Sequence, residues 1–246
     1  MLNILHLDEQ LAAIDKPAGL LVHRSALDAH EQHFALQMLR DQLGRPVWPV
    51  HRLDKGTSGV LLFALSAEVA SLLGQAFETG AMTKRYIALV RGWPAERGGL
   101  IEHHLARDPE RASAGQELLP SRTAWRRLGR VEWPLVVDPR FETSRYALLE
   151  ARPETGRRHQ IRRHFKHLTH PIIGDATHGK GPLNRAVAGF VGLQRLWLHA
   201  CALELRHPAS GEMLRLQAPL GPEWQRLRER GEWQWDAAPD ADQPGT

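Results

Sequence analysis

The chain has 246 residues, of which 42% are hydrophobic and 24% are charged, and its formal net charge is +4. This composition is typical of a globular protein and excludes a chain that is disordered or collagen-like throughout. The longest apolar run, residues 60–65, is far shorter than the roughly 20 residues that a membrane-spanning helix needs. Asp8 and Glu9 interrupt the first hydrophobic stretch, so no signal peptide is predicted. The single cysteine, Cys201, excludes an internal disulfide and favours a reducing compartment, which predicts a cytoplasmic protein.

The first half of the chain is predicted to combine short strands with two amphipathic helices. Apolar or alternating runs predict strands at residues 4–7, 11–15, 20–22, 47–50, 60–65 and 84–91. One helix is predicted from Phe34 to a stop at Gly44. A second helix is predicted between the N-cap Ser66 and the stop at Gly80. Its apolar face is expected to consist of Val69, Leu72, Leu73, Ala76 and Phe77.

The second half is richer in strands, which are predicted at residues 123–128, 145–151, 196–206 and 213–217. Helices are predicted at 156–168 and 222–230, and the polar stretch 94–121 indicates an irregular surface excursion. Because strands outnumber helices and do not alternate with them regularly, the predicted class is α+β, with a largely antiparallel mixed sheet flanked by helices and loops. We expect a single domain at residues 1–235 and a disordered tail at 236–246.

Arginine strongly outnumbers lysine, and the chain contains 14 histidines. Guanidinium groups suit phosphates and planar partners, so this bias favours an anionic partner, and nucleic acid is the first candidate. A GC-rich coding sequence would produce the same bias. Composition alone therefore leaves the partner open.

The first candidate site is the polar loop at residues 51–59, His-Arg-Leu-Asp-Lys-Gly-Thr-Ser-Gly, which lies between two predicted strands. Rigid elements that position a loop are a common setting for a catalytic group. Arg52 and Lys55 flank Asp54, and their charges would keep its carboxylate ionised. A surface turn capped by Asp and Ser would explain the same pattern, so these residues alone leave the role of the loop open.

The second candidate is the basic segment at residues 156–170, which contains five arginine or lysine residues, four histidines and no acidic residue. On a helix, Arg158 and Arg162 would share a face and repel each other. An anion is therefore expected to compensate them, either a buried carboxylate or a phosphate backbone. A solvated basic face is the alternative.

The third candidate is Tyr86, which follows Lys84 and Arg85 on a predicted strand. An aromatic ring beside cations suits base stacking, although a half-buried strand tyrosine is the commoner case. His164, His167 and His170 recur every three residues, but no HExxH motif or Asp-rich ligand set accompanies them, so no metal site is predicted. The sequence contains no Walker A loop, GxGxxG motif or GxSxG elbow, and no nucleotide cofactor is predicted.

These motifs together resemble those of the RluA-type pseudouridine synthases. Residues 51–59 match the family signature His-Arg-Leu-Asp-x-x-Thr-Ser-Gly, and residues 84–86 are similar to its Lys-x-Tyr motif. Residues 156–162 are similar to Gly-Arg-x-His-Gln-Ile/Leu-Arg. The segments 170–175 and 198–200 match as well, and the order and spacing agree over roughly residues 2–230.

Three further short segments, at residues 21–28, 179–185 and 192–196, are similar to those of one subgroup of this family. That subgroup modifies uridine 65 of transfer RNA. The chain is also expected to lack the N-terminal S4 RNA-binding domain of several family members that modify ribosomal RNA. The resemblance therefore implies transfer RNA as the partner, with no membrane association and no obligate protein partner.

The resemblance implies the pseudouridine synthase fold and an isomerisation that needs no cofactor. The bond from ribose C1′ to uracil N1 breaks, the base turns, and C5 bonds to C1′. Asp54 would be the essential carboxylate, acting either as a nucleophile or as a base on the sugar. Arg162 is expected to pair with Asp54, and Tyr86 to stack on the target base. Ile161 and Leu198 are expected to pack around the ring.

The resemblance also implies how RNA would be held. A uridine within a stem must be extruded before it can react. His51 and Arg52 lie beside Asp54 in the sequence and are expected to contact flanking phosphates or the vacated stack. The expected contacts to the RNA backbone are Arg157, Arg158, Arg163 and Lys166.

Three other functions remain open at this point. The same enzyme could act on another position of transfer RNA or on ribosomal RNA. A non-catalytic RNA-binding protein could use the same basic surface, although the intact loop at residues 51–59 argues against it. A histidine-based metal hydrolase is the third.

Overall fold

The computed structural model describes residues 1–24 and 31–236. The helices are α1 (Ala35–Leu43), α2 (Ala67–Glu78), α3 (Gln160–His167), α4 (Gly181–Val191) and α5 (Pro222–Arg228). The strands are β1 (Asn3–Leu7), β2 (Leu11–Lys16), β3 (Trp48–Pro49), β4 (Ser58–Ala64), β5 (Thr83–Arg91), β6 (Gly98–Glu102), β7 (Leu105–Ala106), β8 (Leu118–Leu119), β9 (Arg122–Trp133), β10 (Ser144–Pro153), β11 (Leu198–Arg206), β12 (Met213–Gln217) and β13 (Gln234–Trp235). The predicted α+β class with a mixed, mostly antiparallel sheet is confirmed.

The described chain forms two compact units. The first unit consists of Met1–Lys84 and His199–Pro219, and the second consists of Arg85–Leu198 and the chain from Leu220 onward. The chain therefore passes between the units three times. The predicted single domain at residues 1–235 stays a prediction.

In the first unit, the strands lie in the order β1, β2, β4, β11, with β3 paired to β4 and β12 paired to β11. These pairs are antiparallel except β4 with β11, which is parallel, with His199 opposite Ser58. Every residue of β4 is buried, which explains its nearly continuous apolar sequence.

Helix α2 covers the core of the first unit. The hydroxyl of Ser66 accepts the backbone N–H of Val69 at 3.2 Å, which confirms the predicted N-cap. Val69 and Leu73 are buried. Leu72, predicted on the same face, is instead 56% exposed. Each residue turns the helix by about 100°, which places Leu72 at the edge of the stripe that Val69 and Leu73 define.

In the second unit, β5, β10 and β9 pair antiparallel in that order, and both β6 and β13 pair with β9. Helix α3 packs its apolar side chains, Ile161 and Phe165, into a core with residues of β5, β9 and β10. Complete burial of a side chain such as Phe165 contributes roughly 1.5–3 kcal/mol. The core therefore fixes α3, which carries the basic segment.

Residues 94–121 are more regular than predicted. They contain β6 and a two-stranded ribbon formed by β7 and β8. Between the ribbon strands, the side chain of Gln116 bonds the backbone of Asp108, Arg111 and Ala112. Hydrogen bonds from polar side chains to the backbone of the same loop order this segment. Such bonds leave no apolar pattern in the sequence, and for this reason the segment was predicted to be irregular.

The predictions near three other elements were incomplete. The strand at residues 20–22 is a single bridge between Leu21 and Phe34. Helix α4 was not predicted, although the proline near its start and Gly192 after its end, with φ of 78°, are ordinary helix boundary signals.

Asp236, the first residue of the predicted tail, is held by a buried ion pair with Arg127. Residues 237–246 and the predicted motif residues 25–28 lie outside the described residues.

Among residues 1–24 and 31–236, no helix combines the length and the apolar character needed to cross a membrane.

Candidate active site

Asp54 lies in the first unit, in the turn that leads into β4. Its backbone carbonyl accepts the N–H of Thr57 at 3.0 Å, which closes the turn. Leu53 before it and Thr57 after it are buried, whereas Asp54 itself is partly exposed. The turn is thus anchored on both sides while its carboxylate can be reached from solvent.

A buried lysine supports this turn. Lys16 is fully buried at the end of β2, and its ammonium donates to the carbonyls of Pro17 (2.9 Å), Leu20 (2.7 Å) and Lys55 (3.3 Å). Lys55 directly follows Asp54, so this contact fixes the backbone beside the carboxylate. No role was predicted for Lys16 from the sequence. The only signal was its place directly after the predicted strand at residues 11–15.

The end of the loop lies against β11 in the same unit. Gly59 has φ of +109°, and a Cβ at this position would lie 2.2 Å from the carbonyl oxygen of Ala200. Only glycine therefore fits. The preceding Ser58 lies 2.8 Å from Nδ1 of His199, whose Nε2 lies 3.2 Å from the carbonyl of Ala218. A carbonyl can only accept, so Nε2 donates to it. When Nδ1 is unprotonated, it accepts the Ser58 hydroxyl.

His51, at the start of the same loop, is turned toward the protein. Its Nε2 accepts the backbone N–H of Leu62 at 3.1 Å, and its ring stacks on Phe77 with centroids 4.7 Å apart. Desolvation and the nearby charge of Lys84 lower the pKa of His51 to about 3. At neutral pH the residue is an uncharged acceptor that fastens the loop to β4. The neighbouring Arg52 is exposed.

Tyr86 and the two predicted base-pocket residues, Ile161 and Leu198, come together in the second unit. Tyr86 on β5 packs, half-buried, against the apolar cluster that contains Ile161 of α3 and Leu198 at the start of β11. Tyr86 pairs with Ala151 of β10 in the sheet, and Ala151 belongs to the same cluster. The second unit thus presents a phenol ring backed by aliphatic side chains, a surface suited to one face of a flat base.

Arg162 is buried on α3 and forms a bidentate ion pair with Asp175. Its Nε and Nη2 lie 2.7 and 2.8 Å from the two carboxylate oxygens. Burial by itself raises the pKa of Asp175, but the ion pair and the N–H of His178 outweigh that effect, and the pKa lies below its ordinary value. Asp175 lies in the matching segment 170–175, but no role was predicted for it.

Two arginines of the basic segment, Arg158 and Arg162, are compensated by carboxylates from elsewhere in the second unit. Helix α3 begins at Gln160, and His159 before it has φ of 55°, so Arg158 lies outside the helix. The expected shared face of Arg158 and Arg162 is therefore wrong. A residue in the left-handed conformation interrupts the helical spacing on which that expectation depended.

Each of the predicted RNA-backbone residues occupies a distinct environment. Arg158 pairs with Glu110 and, at 3.5 Å, with Asp108 of the loop between β7 and β8. Arg163 is half-buried and donates to a backbone carbonyl of β7 at 2.8 Å. Arg157 and Lys166 are exposed. Exposed cations keep their charge available to a polyanion, whereas a paired arginine must exchange one anion for another.

The three regularly spaced histidines have separate partners. His164 is buried, accepts from Thr123 at Nδ1 and donates to the His103 carbonyl from Nε2, and desolvation lowers its pKa to about 4. His167 stacks on His103 at 3.8 Å, and His170 lies 2.8 Å from the carbonyl of Arg91. Within the described part of the chain, no group of three or more His, Cys, Asp or Glu side chains is arranged to hold a metal ion.

Comparison with known proteins decides the family. Residues 10–167 match the family described as RNA pseudouridylate synthase. This chain belongs to that family. It is an RNA pseudouridine synthase, and the motifs at residues 51–59, 84–86 and 156–162 lie within the matched region. The recognition made from the motifs is confirmed.

Similar proteins extend the match over nearly the whole chain. A relative from Vibrio cholerae named tRNA pseudouridine synthase C is 46% identical over 239 residues, which cover 95% of this chain and 97% of the relative. A relative of the same name from Yersinia pestis is 47% identical over 238 residues, covering 95% and 92%. The human RNA pseudouridylate synthase domain containing 1 has a similar structure, with a TM-score of 0.73, 26% identity, and coverage of 96% of this chain and 89% of the human one.

Proposed function

We propose that this pseudouridine synthase acts on a transfer RNA, that it isomerises uridine 65, and that Asp54 is the carboxylate on which the reaction depends. The observation that carries the proposal is the similarity to relatives named tRNA pseudouridine synthase C over 95% of the chain. Position 65 rests on the subgroup features at residues 179–185 and 192–196. Because these relatives are bacterial, we place the reaction in the cytoplasm.

The environment of Asp54 supports its role. The turn is fastened by Lys16 on one side and by the fit of Gly59 against β11 on the other. A carboxylate held in this way is preorganised for attack on a sugar carbon or for removal of a sugar proton. Arg162 serves as the guanidinium that pairs with this carboxylate in the reacting complex, because an arginine–carboxylate pair orients both oxygens and favours the charged form.

The apolar cluster beside Tyr86 supports the placement of the base. The uracil ring stacks on the phenol, and Ile161 and Leu198 form the apolar backing. Extrusion of the uridine costs a few kcal/mol, which stacking and phosphate contacts must offset. Arg52, Arg157 and Lys166 are exposed and suit phosphates directly. Arg158 contributes less because carboxylates already neutralise its guanidinium, and Arg163 contributes less because it is half-buried.

His51 and its neighbour Arg52 have different roles: His51 holds the loop in place, and Arg52 contacts RNA. Its Nε2 is occupied by the backbone N–H of Leu62, and its lowered pKa keeps it neutral. We therefore assign His51 to holding the loop rather than to contacting phosphate. Arg52 remains the RNA contact of this loop.

The test is to incubate the purified protein with an unmodified transfer RNA transcript and EDTA, and to map pseudouridine by position. Pseudouridine at position 65 of the wild-type reaction is the expected result, and it should be absent with Asp54→Asn. Asp41→Asn is the matched control, because Asp41 is an exposed carboxylate of the same unit. Turnover by Asp54→Asn, with deamidation excluded, would contradict the role of this residue.

Two further outcomes separate the alternatives. A transcript with cytidine at position 65 should remain unmodified, whereas modification at another position, or of ribosomal RNA only, would replace the proposed substrate.

A further inference from the structure

A cavity of about 570 Å³ is formed in the second unit by α5, β13 and the segment between them. Its lining includes two tryptophans, Trp233 and Trp235, together with the polar side chains of Gln225, Arg228 and Glu229. Sites for small organic ligands usually have volumes of roughly 300–1,000 Å³ and combine aromatic walls with a few polar groups. The cavity has the size and the lining of such a site, and it shares no residue with the candidate active site.

The tryptophan walls are supported by the sheet. Trp235 is the neighbour of Gly129 of β9, and a Cβ at Gly129 would lie 2.6 Å from Cε3 of this indole. The ring of Trp235 therefore lies against the backbone of β9. Trp233 stacks on Trp235, with the ring centroids 5.3 Å apart and 16° between the ring planes. The two indoles thus form one aromatic platform, of which Trp235 is 40% exposed.

Helix α5, which supplies most of the polar lining, is fixed by its buried face. Trp224 and Leu227 are buried, and the ring of Trp224 meets that of Trp197 edge-on, with centroids 5.1 Å apart. Gln225 and Arg228 are three residues apart, so they share another face of the helix, and both line the cavity. The cavity is therefore preorganised, because the packing of the protein itself holds its walls in place.

The polar side chains place a cation and hydrogen-bonding groups beside the rings. The guanidinium carbon of Arg228 lies over the ring of Trp235, 5.1 Å from its centroid. Glu229 adds a carboxylate that accepts hydrogen bonds, and Gln225 adds an amide that donates and accepts. Nε1 of Trp233 is buried and has no hydrogen-bond partner among residues 1–24 and 31–236. Buried polar atoms almost always have one, so this N–H suits an acceptor that a ligand brings.

These features together match an unpaired nucleotide. Every base has a flat face that stacks on aromatic rings, whatever the sequence. The edge of a base carries both donors and acceptors, which an amide and a carboxylate complement, and a guanidinium suits a phosphate. A base inside a duplex already uses both its faces and its edge, so only an unpaired one fits. Because the chain belongs to a family that acts on RNA, the bound RNA can supply this nucleotide.

We propose that the cavity is a further RNA site, which holds one unpaired nucleotide of the RNA substrate. The base extends the stack of the two indoles, its edge meets the amide and the carboxylate, and the guanidinium takes its phosphate. The site adds affinity for an RNA that has an unpaired segment and none for a plain duplex. This inference goes beyond the proposed function and depends neither on Asp54 nor on position 65.

The test measures the affinity of the full chain for a transfer RNA transcript and for a blunt RNA duplex. Trp235→Leu keeps an apolar side chain but removes the stacking surface. We expect its affinity for the transcript to fall by at least about fivefold, the lower end of what one stacked base contributes, and its affinity for the duplex to change by less than about twofold. Trp235→Phe should recover part of the loss, because a phenyl ring still stacks.

Phe141→Leu is the matched control, because Phe141 is 59% exposed in the same unit and also has an arginine, Arg140, over its ring. It should change neither affinity. An unchanged affinity of Trp235→Leu for the transcript would overturn the proposal. Equal losses for transcript and duplex, or equal losses in Trp235→Leu and Phe141→Leu, would overturn it as well, since neither result is specific to a stacked base.

If Trp235→Leu does not fold, Arg228→Gln answers the same question with α5 intact, and Arg140→Gln is its control. Arg228→Gln should weaken binding of the transcript and reduce the slope of log affinity against log salt by about one. An unchanged affinity and slope would overturn the proposal. These measurements need no turnover, so an active Asp54→Asn or an unmodified position 65 would overturn the proposed function and leave this inference standing.

Discussion

The desolvated imidazole of His51 leads us to predict that the protein loses stability in mild acid. In the fold, Nε2 must stay unprotonated to accept the N–H of Leu62, and desolvation together with the charge of Lys84 lowers the pKa of His51 from 6.5 to about 3. The unfolded chain binds a proton below its own pKa of 6.5, whereas the folded protein does not. The stability that this group contributes is therefore complete above about pH 6.5 and is lost progressively as the pH falls toward 3.

The magnitude follows from the two pKa values of His51. Between about pH 7.5 and pH 5, the preferential protonation of the unfolded state lowers the free energy of unfolding by about 2 kcal/mol. The variant His51→Gln can still accept the N–H of Leu62 through its amide oxygen but cannot be protonated. It should therefore lose about 2 kcal/mol less than the wild type over this pH range, whatever its stability at neutral pH.

The assay is urea unfolding of both proteins at the two pH values, with His33→Gln as the control because His33 is an exposed histidine of the same unit. His164 and His178, whose pKa values are also lowered by burial, are present in all three proteins and cancel in the comparison. The NMR signal of His51 gives a direct check, since its ring should remain neutral at pH 5. Equal pH dependence of wild type and His51→Gln, or titration of this ring above pH 5, would refute the reasoning.

Three further predictions concern single contacts. Gly59→Ala forces a side chain into the β11 backbone at positive φ and should lower the free energy of unfolding by roughly 3 kcal/mol or more, measured by chemical denaturation; a change under about 1 kcal/mol would contradict the fit. Asp236→Ala leaves the buried Arg127 without its carboxylate and should cost about 3–5 kcal/mol, and an unchanged melting temperature would argue against this ion pair. The double variant Arg157→Gln with Lys166→Gln should weaken transfer RNA binding and reduce the slope of log affinity against log salt by about one to two, whereas an unchanged slope would remove these residues from the interface.

Much of the architecture follows from patterns that adjacent residues carry. The apolar run of β4, the N-cap of α2 and the spacing of the apolar residues in α2 can all be read from neighbouring residues. The backbone of a strand or helix sets the period at which side chains return to the same face. The motif at residues 51–59 likewise indicated the family before any contact was known. Helix α4 was missed although Leu183, Val187 and Phe190 recur at helical spacing between its boundary signals.

The sequence by itself determined the fold class, the family and the identity of the candidate carboxylate, Asp54. Only the tertiary structure decided which anion compensates which cation: Asp175 pairs with Arg162, and Glu110 pairs with Arg158. The physical reason is that charged residues do not recur along the sequence at a spacing that identifies their partners. The partner of a charged side chain depends on which segments the hydrophobic core brings together, and that arrangement is a property of the whole packed chain.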